Sequence, residues 1–290
     1  MQPCRYGLIG AGIGASLSPV LHETEGRHHG LDLSYRLIDV DEPGTPSDLG
    51  RLLDDAEADR LAGLNITHPF KQQVIDLLDD LSPQARDIGA VNTVVFRDGR
   101  RLGFNTDAYG FAESFRRGLP DAPVDRVVQL GAGGAGAACA YAQLSAGVGH
   151  LTVVDPDTER RGALGEALEG RFDIHRIAVA APDELPAALE HADGLVNTSP
   201  VGMRTHPGIP LPVGLLHPGL WVVDVIYMPV ETQLLRSARA NGLRAIGGAA
   251  MCVFQAAAAF ELLTGRTPDT ERMLGHLDRL LNGSGHHVRA

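Results

Sequence analysis

Short apolar runs alternate along the whole chain with longer segments whose apolar residues recur at helical spacing. That alternation predicts repeated strand–helix–strand units and an α/β fold. In the first third, "YGLIG", "LSYRLIDV" and "LAGLNIT" read as strands, with "SPVLHETEGRHHG" and "PSDLGRLLDDAEA" as helices between them. Ser18 suits the N-cap of the first helix, Pro19 its first position and Gly30 its end. "PFKQQVIDLLDDL" predicts a further helix, with Lys71 in its first turn and Val74, Ile75, Leu77 and Leu78 facing inward. "AVNTVVF" and "RLGFNT" flank "RDGR", whose Asp98-Gly99 pair predicts a tight hairpin. "DAYGFAESFRRGL" predicts a linking helix.

A second unit is expected from about Val124. "RVVQLGAG", "HLTVVD", "IHRIAV", "GLVNTS" and "LWVVDVIY" read as strands separated by helical segments. Their apolar runs lack clean alternation, as expected of a parallel sheet covered on both faces. "MCVFQAAAAFELLTG" and "ERMLGHLDRLL" predict two final helices that pack back on the first domain. The expected fold class is α/β: an N-terminal α/β domain over 1–106, a Rossmann-type doubly wound parallel sheet over 107–246, and returning helices over 247–290.

Composition narrows the function. The chain of 290 residues is long enough for two domains. A net charge of −11 leaves no basic stripe to track phosphates, so no nucleic-acid partner is expected. No polybasic cluster suggests a membrane surface. The longest apolar segment, Ala249–Leu263, is interrupted by Gln255 and Glu261 and falls short of the ~20 residues of a span. "MQPCRYGLIG" lacks the pattern of a secretory signal. Cys4, Cys139 and Cys252 are odd in number and far apart, which reads as reduced thiols of a cytoplasmic protein. The histidines show no metal-ligand spacing, and no metal is expected. "GSGHHVRA" reads as a mobile terminus.

"VVQLGAGGAGAACAYAQL" carries Gly131-x-Gly133-x-x-Gly136 directly after a strand and opening a helix. The first glycine permits the tight turn, the second lets backbone approach a pyrophosphate, and the third lets the helix lie close on the strand. Gly134 and Ala135 complete the loop, whose N–H groups face phosphate at the positive helix end. "LTVVDPDTER" ends the next strand on Asp155, nineteen residues beyond Gly136. An acid ~20 residues on is the ribose-binding element of a dinucleotide fingerprint, and it repels a 2′-phosphate. The bland reading of Asp155 is a turn or cap acid, though Asp157 is better placed for that role. Arg160 and Arg161 can pair with Asp155, stack on adenine or meet a 2′-phosphate.

Four polar clusters outside this unit stand at predicted strand–helix junctions, where open α/β sheets bind ligands. They are Ser16 and Ser18; Asn65, Thr67 and Lys71; Asn92; and Asn105, Thr106 and Asp107. Each has a local alternative: Ser18, Thr67 and Asp107 can be helix caps. Lys71 is harder to dismiss, since a lysine in a first helical turn opposes the dipole.

"SLSP", "NITHPFK", "GAVNTV", "NTDAYGF", "GAGGAG", "NTSPVGM", "DVIYMPVET" and "GGAAMCVFQAAAAFELLTG" together resemble the shikimate/quinate dehydrogenase family, in order and over almost the whole chain. The resemblance implies hydride transfer between a nicotinamide cofactor and a ring secondary alcohol, interconverting shikimate and 3-dehydroshikimate or quinate and 3-dehydroquinate. It makes the first domain the substrate-binding one. Ser16, Ser18, Asn65, Thr67, Lys71, Asn92, Asp107 and Gln255 would hold the cyclic hydroxy-acid. Lys71 and Asp107 would be the catalytic pair, with Lys71 either exchanging the hydroxyl proton or acting electrostatically. Thr198, Val201, Met203, Ile226, Tyr227, Gly248 and Met251 would line the nicotinamide side, with Tyr227 near the substrate.

The chain departs from the family's NADP-using pattern. Asp155-Pro156-Asp157 stands where many such members carry an Asn-Arg-Thr/Ser-like run, which resembles the NAD-using quinate/shikimate branch. Ala15 replaces the His of a His-Ser-x-Ser-Pro form, His22-Glu23 replaces a His-Asn pair, and Ser18 stands where some quinate-active members carry Thr. NAD is therefore the favoured cofactor, with NADP possible, and activity on both acids is expected. The alternatives are an NADP-dependent biosynthetic shikimate dehydrogenase and a catalytically silent ligand sensor on the same fold. The expected assembly is a monomer or homodimer.

Overall fold

A computed structural model of the chain describes residues 4–282; "GSGHHVRA" lies outside them. In chain order the elements begin with β1 (Cys4–Gly10), α1 (Ser18–His28), β2 (Leu33–Asp39), α2 (Leu49–Ala58), β3 (Gly63–Ile66), β4 (Asp80–Leu81), α3 (Pro83–Ile88), β5 (Thr93–Arg97) and β6 (Arg100–Phe104). There follow α4 (Asp107–Gly118), β7 (Arg126–Leu130), α5 (Gly134–Ser145), β8 (His150–Val154), α6 (Thr158–Glu169), β9 (Ile177–Ala180), α7 (Leu185–Leu189) and β10 (Gly194–Asn197). The chain closes with β11 (Trp221–Asp224), α8 (Gln233–Ala240), β12 (Ala245–Gly247), α9 (Ala249–Thr264) and α10 (Thr270–Asn282). The chain clusters into two compact units. One runs up to Thr106 and resumes over Val253–Leu277; the other holds Asp107–Cys252 and resumes at Asp278.

The first unit is built on a mixed sheet in the order β2-β1-β3-β5-β6-β4. β1 pairs in parallel with β2 and β3, while β5 runs antiparallel to both β3 and β6. The predicted hairpin is present: Asp98 and Gly99 both take positive φ, 53° and 70°, as a two-residue turn requires. Ile9, Leu53, Leu64, Ile66, Val74 and Val94 are fully enclosed between the sheet and α2. On another face Tyr6, Leu8, Tyr35 and Val95 pack with Leu263, and the Tyr6 hydroxyl donates to the Leu263 carbonyl at 2.5 Å.

Two local expectations are corrected here. Lys71 does not sit in a helical turn: the helix predicted over "PFKQQVIDLLDDL" is a short 3-10 segment, Gln73–Leu77, and Leu77 is exposed. Asp80–Leu81 has been drawn into the sheet beside β6 instead. Ser18 is not a cap either. Leu17 precedes α1 in helical conformation, no side chain caps the helix, and Ser18 is its first residue.

The second unit is a parallel sheet in the order β12-β11-β10-β7-β8-β9. The chain starts in the middle at β7, winds outward through β8 and β9, then returns to β10 and winds the other way. That reversal creates a switch point at the carboxyl ends of β7 and β10, where doubly wound sheets bind ligands. The core joins Val128, Leu195 and Val222 of the sheet to Leu185, Leu189 and Leu234 of the covering helices.

Candidate active site

In the first unit, the carboxyl ends of β1 and β3 and the start of β5 bring most of the expected polar residues together. Ser16 lies in the β1–α1 loop, and its Oγ is 3.2 Å from that of Ser18. Asp39, at the end of β2, holds that loop by accepting from the N–H groups of Gly12 and Ile13 at 2.9 and 2.7 Å. Burial pushes the Asp39 carboxyl up, but the surrounding backbone donors outweigh it and hold it below the usual range. The loop is also tied to the segment after β3, where Ala11 N–H donates to the His68 carbonyl and Thr67 N–H to that of Ile9.

Asn65 on β3 and Asn92 just before β5 are both buried. Their backbones meet where Ile66 N–H donates to the Asn92 carbonyl at 2.8 Å, and the Lys71 carbonyl accepts from Val91 N–H at 2.7 Å. Lys71 and Gln255 are half-buried. Asn105 donates to the Ala90 carbonyl, and Thr106 N–H donates to Asn92 Oδ1, both holding this corner. Asp107 follows at once as the first residue of α4 and belongs, like Tyr227, to the second unit.

In the second unit the glycine loop bridges β7 and α5. Gly131 takes a φ of 100°, a left-handed conformation that suits glycine. A Cβ on Gly131 would stand 2.8 Å from Thr198 Oγ, and one on Gly136 would collide with the Gly131 carbonyl. Around Gly133, by contrast, a Cβ would meet no atom within 4 Å. The loop thus packs tightly on its sheet side and is open at its middle glycine. The first N–H groups of α5 are without intrahelical partners by helix geometry. An anionic group can approach them there along the positive helix end, alongside Gly134 and Ala135. These residues fit a dinucleotide.

Asp155 directly follows the neighbouring strand, β8, and is 3% exposed. Its Oδ2 accepts from Ala132 N–H in the glycine loop at 2.8 Å and its Oδ1 from Asp157 N–H at 2.9 Å. Asp157 caps α6, accepting from Arg160 N–H. The Arg160 guanidinium faces Asp157 at 3.5 Å, and that of Arg161 donates to the Asp155 carbonyl. The arginines therefore brace the turn around Asp155 rather than its carboxylate.

On the other side of the switch point, Thr198 Oγ donates to the Leu130 carbonyl. Asn197 donates to the Val201 carbonyl and to Asp224, which also accepts from Ile226 N–H and the Thr232 hydroxyl. Burial pushes the Asp224 carboxyl up to about 6 against those three donors. This network holds the segments bearing Val201 and Ile226. Met203 is 40% exposed, while Met251 is buried in the first turn of α9. Gly248 leaves no room for a side chain, since a Cβ would collide with the Val225 carbonyl. Sequence reasoning missed Asp39 and Asp224, although each is the last residue of a strand and Asp155 stands just one position past the end of its own. It also missed Tyr35 and Thr93, whose hydroxyls face the two asparagines. A tyrosine and a threonine within apolar strands carry no signal separable from β-propensity. Among the described residues no cluster could hold a metal ion, and no helix is long and apolar enough to cross a membrane.

Residues 8–94 match the model of the shikimate dehydrogenase substrate binding domain, and residues 248–277 that of the shikimate 5'-dehydrogenase C-terminal domain. The chain is 58% identical to a shikimate dehydrogenase (NADP(+)) of Streptomyces avermitilis, over 94% of each chain. It is 48% identical to a quinate/shikimate dehydrogenase (NAD(+)) of Corynebacterium efficiens, covering 92% of this chain and 95% of that one. Among solved structures, quinate dehydrogenase from Corynebacterium glutamicum in complex with NAD superposes with a TM-score of 0.88 at 44% identity, covering 94% and 98%.

Proposed function

The chain belongs to the shikimate dehydrogenase family, and from that premise we propose that it is an NAD-preferring enzyme acting on both shikimate and quinate. The family's activity is NAD(P)-dependent oxidation of a ring secondary alcohol and its reverse. The observation that carries the NAD preference is Asp155, whose carboxylate stands at the end of β8 against the glycine loop. Each of its oxygens accepts one N–H, and each has a further lone pair for a ribose hydroxyl. A 2′-phosphate brought to the same place would meet a negative charge.

A nicotinamide dinucleotide bound at Gly131, Gly133, Gly134, Ala135 and Gly136 supplies the hydride acceptor or donor. Asp155 and Arg160 would flank its adenosine half, and Thr198, Val201, Met203, Ile226, Gly248 and Met251 its nicotinamide half. Ser16 and Ser18 offer two adjacent hydroxyls from one loop and suit the ring carboxylate as donors. Asn65, Thr67, Asn92, Tyr227 and Gln255 suit the ring hydroxyls. Lys71 and Asp107 take the catalytic role. In oxidation the Lys71 amine accepts the proton of the reacting hydroxyl, and in reduction its ammonium returns that proton to the forming alkoxide. Asp107 orients the ammonium and the hydroxyl. A cytoplasmic location completes the proposal.

The test is a grid of initial rates: shikimate and quinate, each with NAD and NADP. Turnover of both acids with a higher kcat/KM for NAD is expected. The 58% identity to a relative named for NADP favours a second reading, in which shikimate with NADP dominates the grid. No turnover anywhere would leave the ligand-sensing alternative standing.

A further inference from the structure

The amides of Asn65 and Asn92 are locked in opposite orientations, and neither orientation is open to choice. Asn65 Nδ2 lies 3.2 Å from the Asn92 backbone carbonyl, which can only accept. That atom must therefore be the donor nitrogen, and Oδ1 is fixed on the other side. Asn92 Oδ1 lies 2.8 Å from Thr106 N–H, which can only donate. Here the oxygen is fixed in the same way.

Thr93 couples the two amides. It sits opposite Asn65 in the antiparallel β3–β5 pair. Its hydroxyl oxygen accepts from Asn65 Nδ2 at 3.0 Å, and its hydrogen goes to Asn92 Oδ1 at 3.1 Å. From the other side the Tyr35 hydroxyl donates to Asn65 Oδ1 at 2.7 Å. Asn92 Nδ2 donates one hydrogen to Thr106 Oγ at 2.8 Å. Both hydrogens of Asn65 are thus committed, and so are both lone pairs of Asn92 Oδ1. Asn65 retains one acceptor site, and Asn92 retains one donor site.

We propose that Thr93, seconded by Tyr35, is a positioning residue that makes Asn65 an acceptor-only and Asn92 a donor-only contact for the bound acid. The idea rests on the substrate assignment made above. Thr93 is wholly buried and acts through the two amides. The arrangement suits a polyol ring. Asn65 takes a hydrogen that only a hydroxyl can give, while Asn92 serves an oxygen whether it is hydroxyl or carbonyl. The pair therefore reads ring hydroxyls by polarity, and Asn92 tolerates either redox state of an oxygen it faces.

Two variants of Thr93 separate the hydroxyl from the volume. Thr93→Val keeps the volume and removes the relay, leaving a hydrogen of Asn65 unmatched in a buried site and Asn92 Oδ1 to Thr106 alone, whose N–H and Oγ lie 2.8 and 3.2 Å away. Thr93→Ser keeps the relay and removes a methyl group. For Thr93→Val we expect KM for the acid to rise about tenfold, the effect of one or two lost neutral hydrogen bonds. Its kcat and its KM for the dinucleotide should stay within about twofold, as for a loss of uniform binding. Thr93→Ser should keep the parent's KM. An unchanged KM in the Val variant, or an equal rise in both variants, overturns the proposal in favour of plain packing.

Side-chain amide hydrogen exchange, followed by NMR on the unliganded proteins, reads the same lock without turnover. Slow exchange of both Asn65 Nδ2 hydrogens in the parent and the Ser variant, with acceleration in the Val variant, supports the proposal. Equal exchange in all three refutes it. A parent protein that turns over neither acid would refute the substrate assignment, and the exchange measurement would still judge the relay.

Discussion

Replacing Asp155 by Asn separates the backbone contacts of its carboxylate from the ribose-binding role proposed for it. Its oxygens hold Ala132 N–H and Asp157 N–H at 2.8 and 2.9 Å. An asparagine has one oxygen, so one of those donors would face an amide nitrogen. A buried hydrogen bond to a charged acceptor is worth about 1.5–3 kcal/mol, so the glycine loop should loosen by about 2 kcal/mol, roughly thirtyfold in affinity for either cofactor. NAD should also lose charge-assisted ribose contacts, worth about 1.5 kcal/mol more. NADP should instead shed a repulsion. A doubly charged phosphate at roughly 5 Å from the carboxylate costs about 2 kcal/mol even at the dielectric constant of water. The two changes together predict a fall of about a hundredfold or more in the NAD:NADP ratio of kcat/KM, with NADP affinity itself nearly unchanged. Steady-state kinetics with each cofactor at saturating acid, alongside cofactor titration by fluorescence, measures both. Equal loss for NAD and NADP would refute the reasoning: Asp155 would then be a loop clamp alone, and the cofactor preference would lie elsewhere.

Other substitutions test other parts of the site. Lys71→Ala should lower kcat by about two to four decades, the range of general acid–base catalysis, while the acid still binds in a direct titration; full turnover would remove Lys71 from the chemistry. Gly136→Ala should destabilise the second unit by about 1–3 kcal/mol, because the added Cβ would collide with the backbone carbonyl of Gly131 and crowd Thr198 Oγ, whereas Gly133→Ala should leave Tm unchanged and raise KM for the dinucleotide. His22 is enclosed, has no partner for Nδ1 among the described residues, and is lowered by burial to about 4. The unfolded chain therefore binds the extra proton first, and stability should fall by about 3 kcal/mol as pH drops from 6.5 towards 4. Asp224 works in the opposite sense. Its carboxyl is raised by burial to about 6, so the folded state keeps its proton longer, and stability should fall by about 3 kcal/mol as pH rises from 3.8 through 6. Urea denaturation between pH 4 and 7 should show His22→Phe losing the first trend and Asp224→Asn the second.

Local chemistry made much of this molecule legible. Uninterrupted apolar runs marked β7, β8, β10 and β11 as buried parallel strands, and Asp98-Gly99 marked the hairpin, since a two-residue turn needs positive φ at both positions. Where the reading failed, a partner distant in sequence had intervened. Leu78 and Leu81 sit at helical spacing from Val74, yet both crowd Gly103, and Asp80 pairs with Leu102 across more than twenty residues. Periodicity within a window cannot register a strand that arrives from outside it. Two of the three Ser-Pro pairs make the same point. Ser82 caps α3 by accepting from Ala85 N–H, whereas Ser18 is turned to Ser16 because Leu17 has already entered the helix. Of the candidate site, the residue types and their junctions were readable. The relay through Tyr35 and Thr93 was not, because it depends on which strand lies opposite which.

Asp39 provides the sharpest control on the meaning of Asp155. Both stand at the carboxyl end of a strand whose neighbour runs into a glycine-containing loop; Asp39 accepts from two N–H groups of that loop and Asp155 from one. A loop leaving a parallel sheet has donors without ladder partners, and an acid on the adjacent strand satisfies them. An acid in this position therefore does not by itself imply a ribose. The difference lies in saturation. Asp39 Oδ1 already takes both Gly12 and Asp41 N–H, and Oδ2 takes Ile13 N–H, whereas each oxygen of Asp155 takes one. The loops differ as well: α5 begins at Gly134, directly after the glycines, but α1 begins only at Ser18, with Ser16 in the intervening loop. Asp39 thus tensions the serine loop and Asp155 the glycine loop. Asp39→Asn should raise KM for the acid about tenfold, through about 1.5 kcal/mol of lost charge-assisted bonding, and leave KM for NAD alone. Asp155→Asn should do the reverse. Isothermal titration of each ligand against each variant separates the cases, and a loss of acid and NAD affinity to the same degree in both would mean that neither loop is held independently.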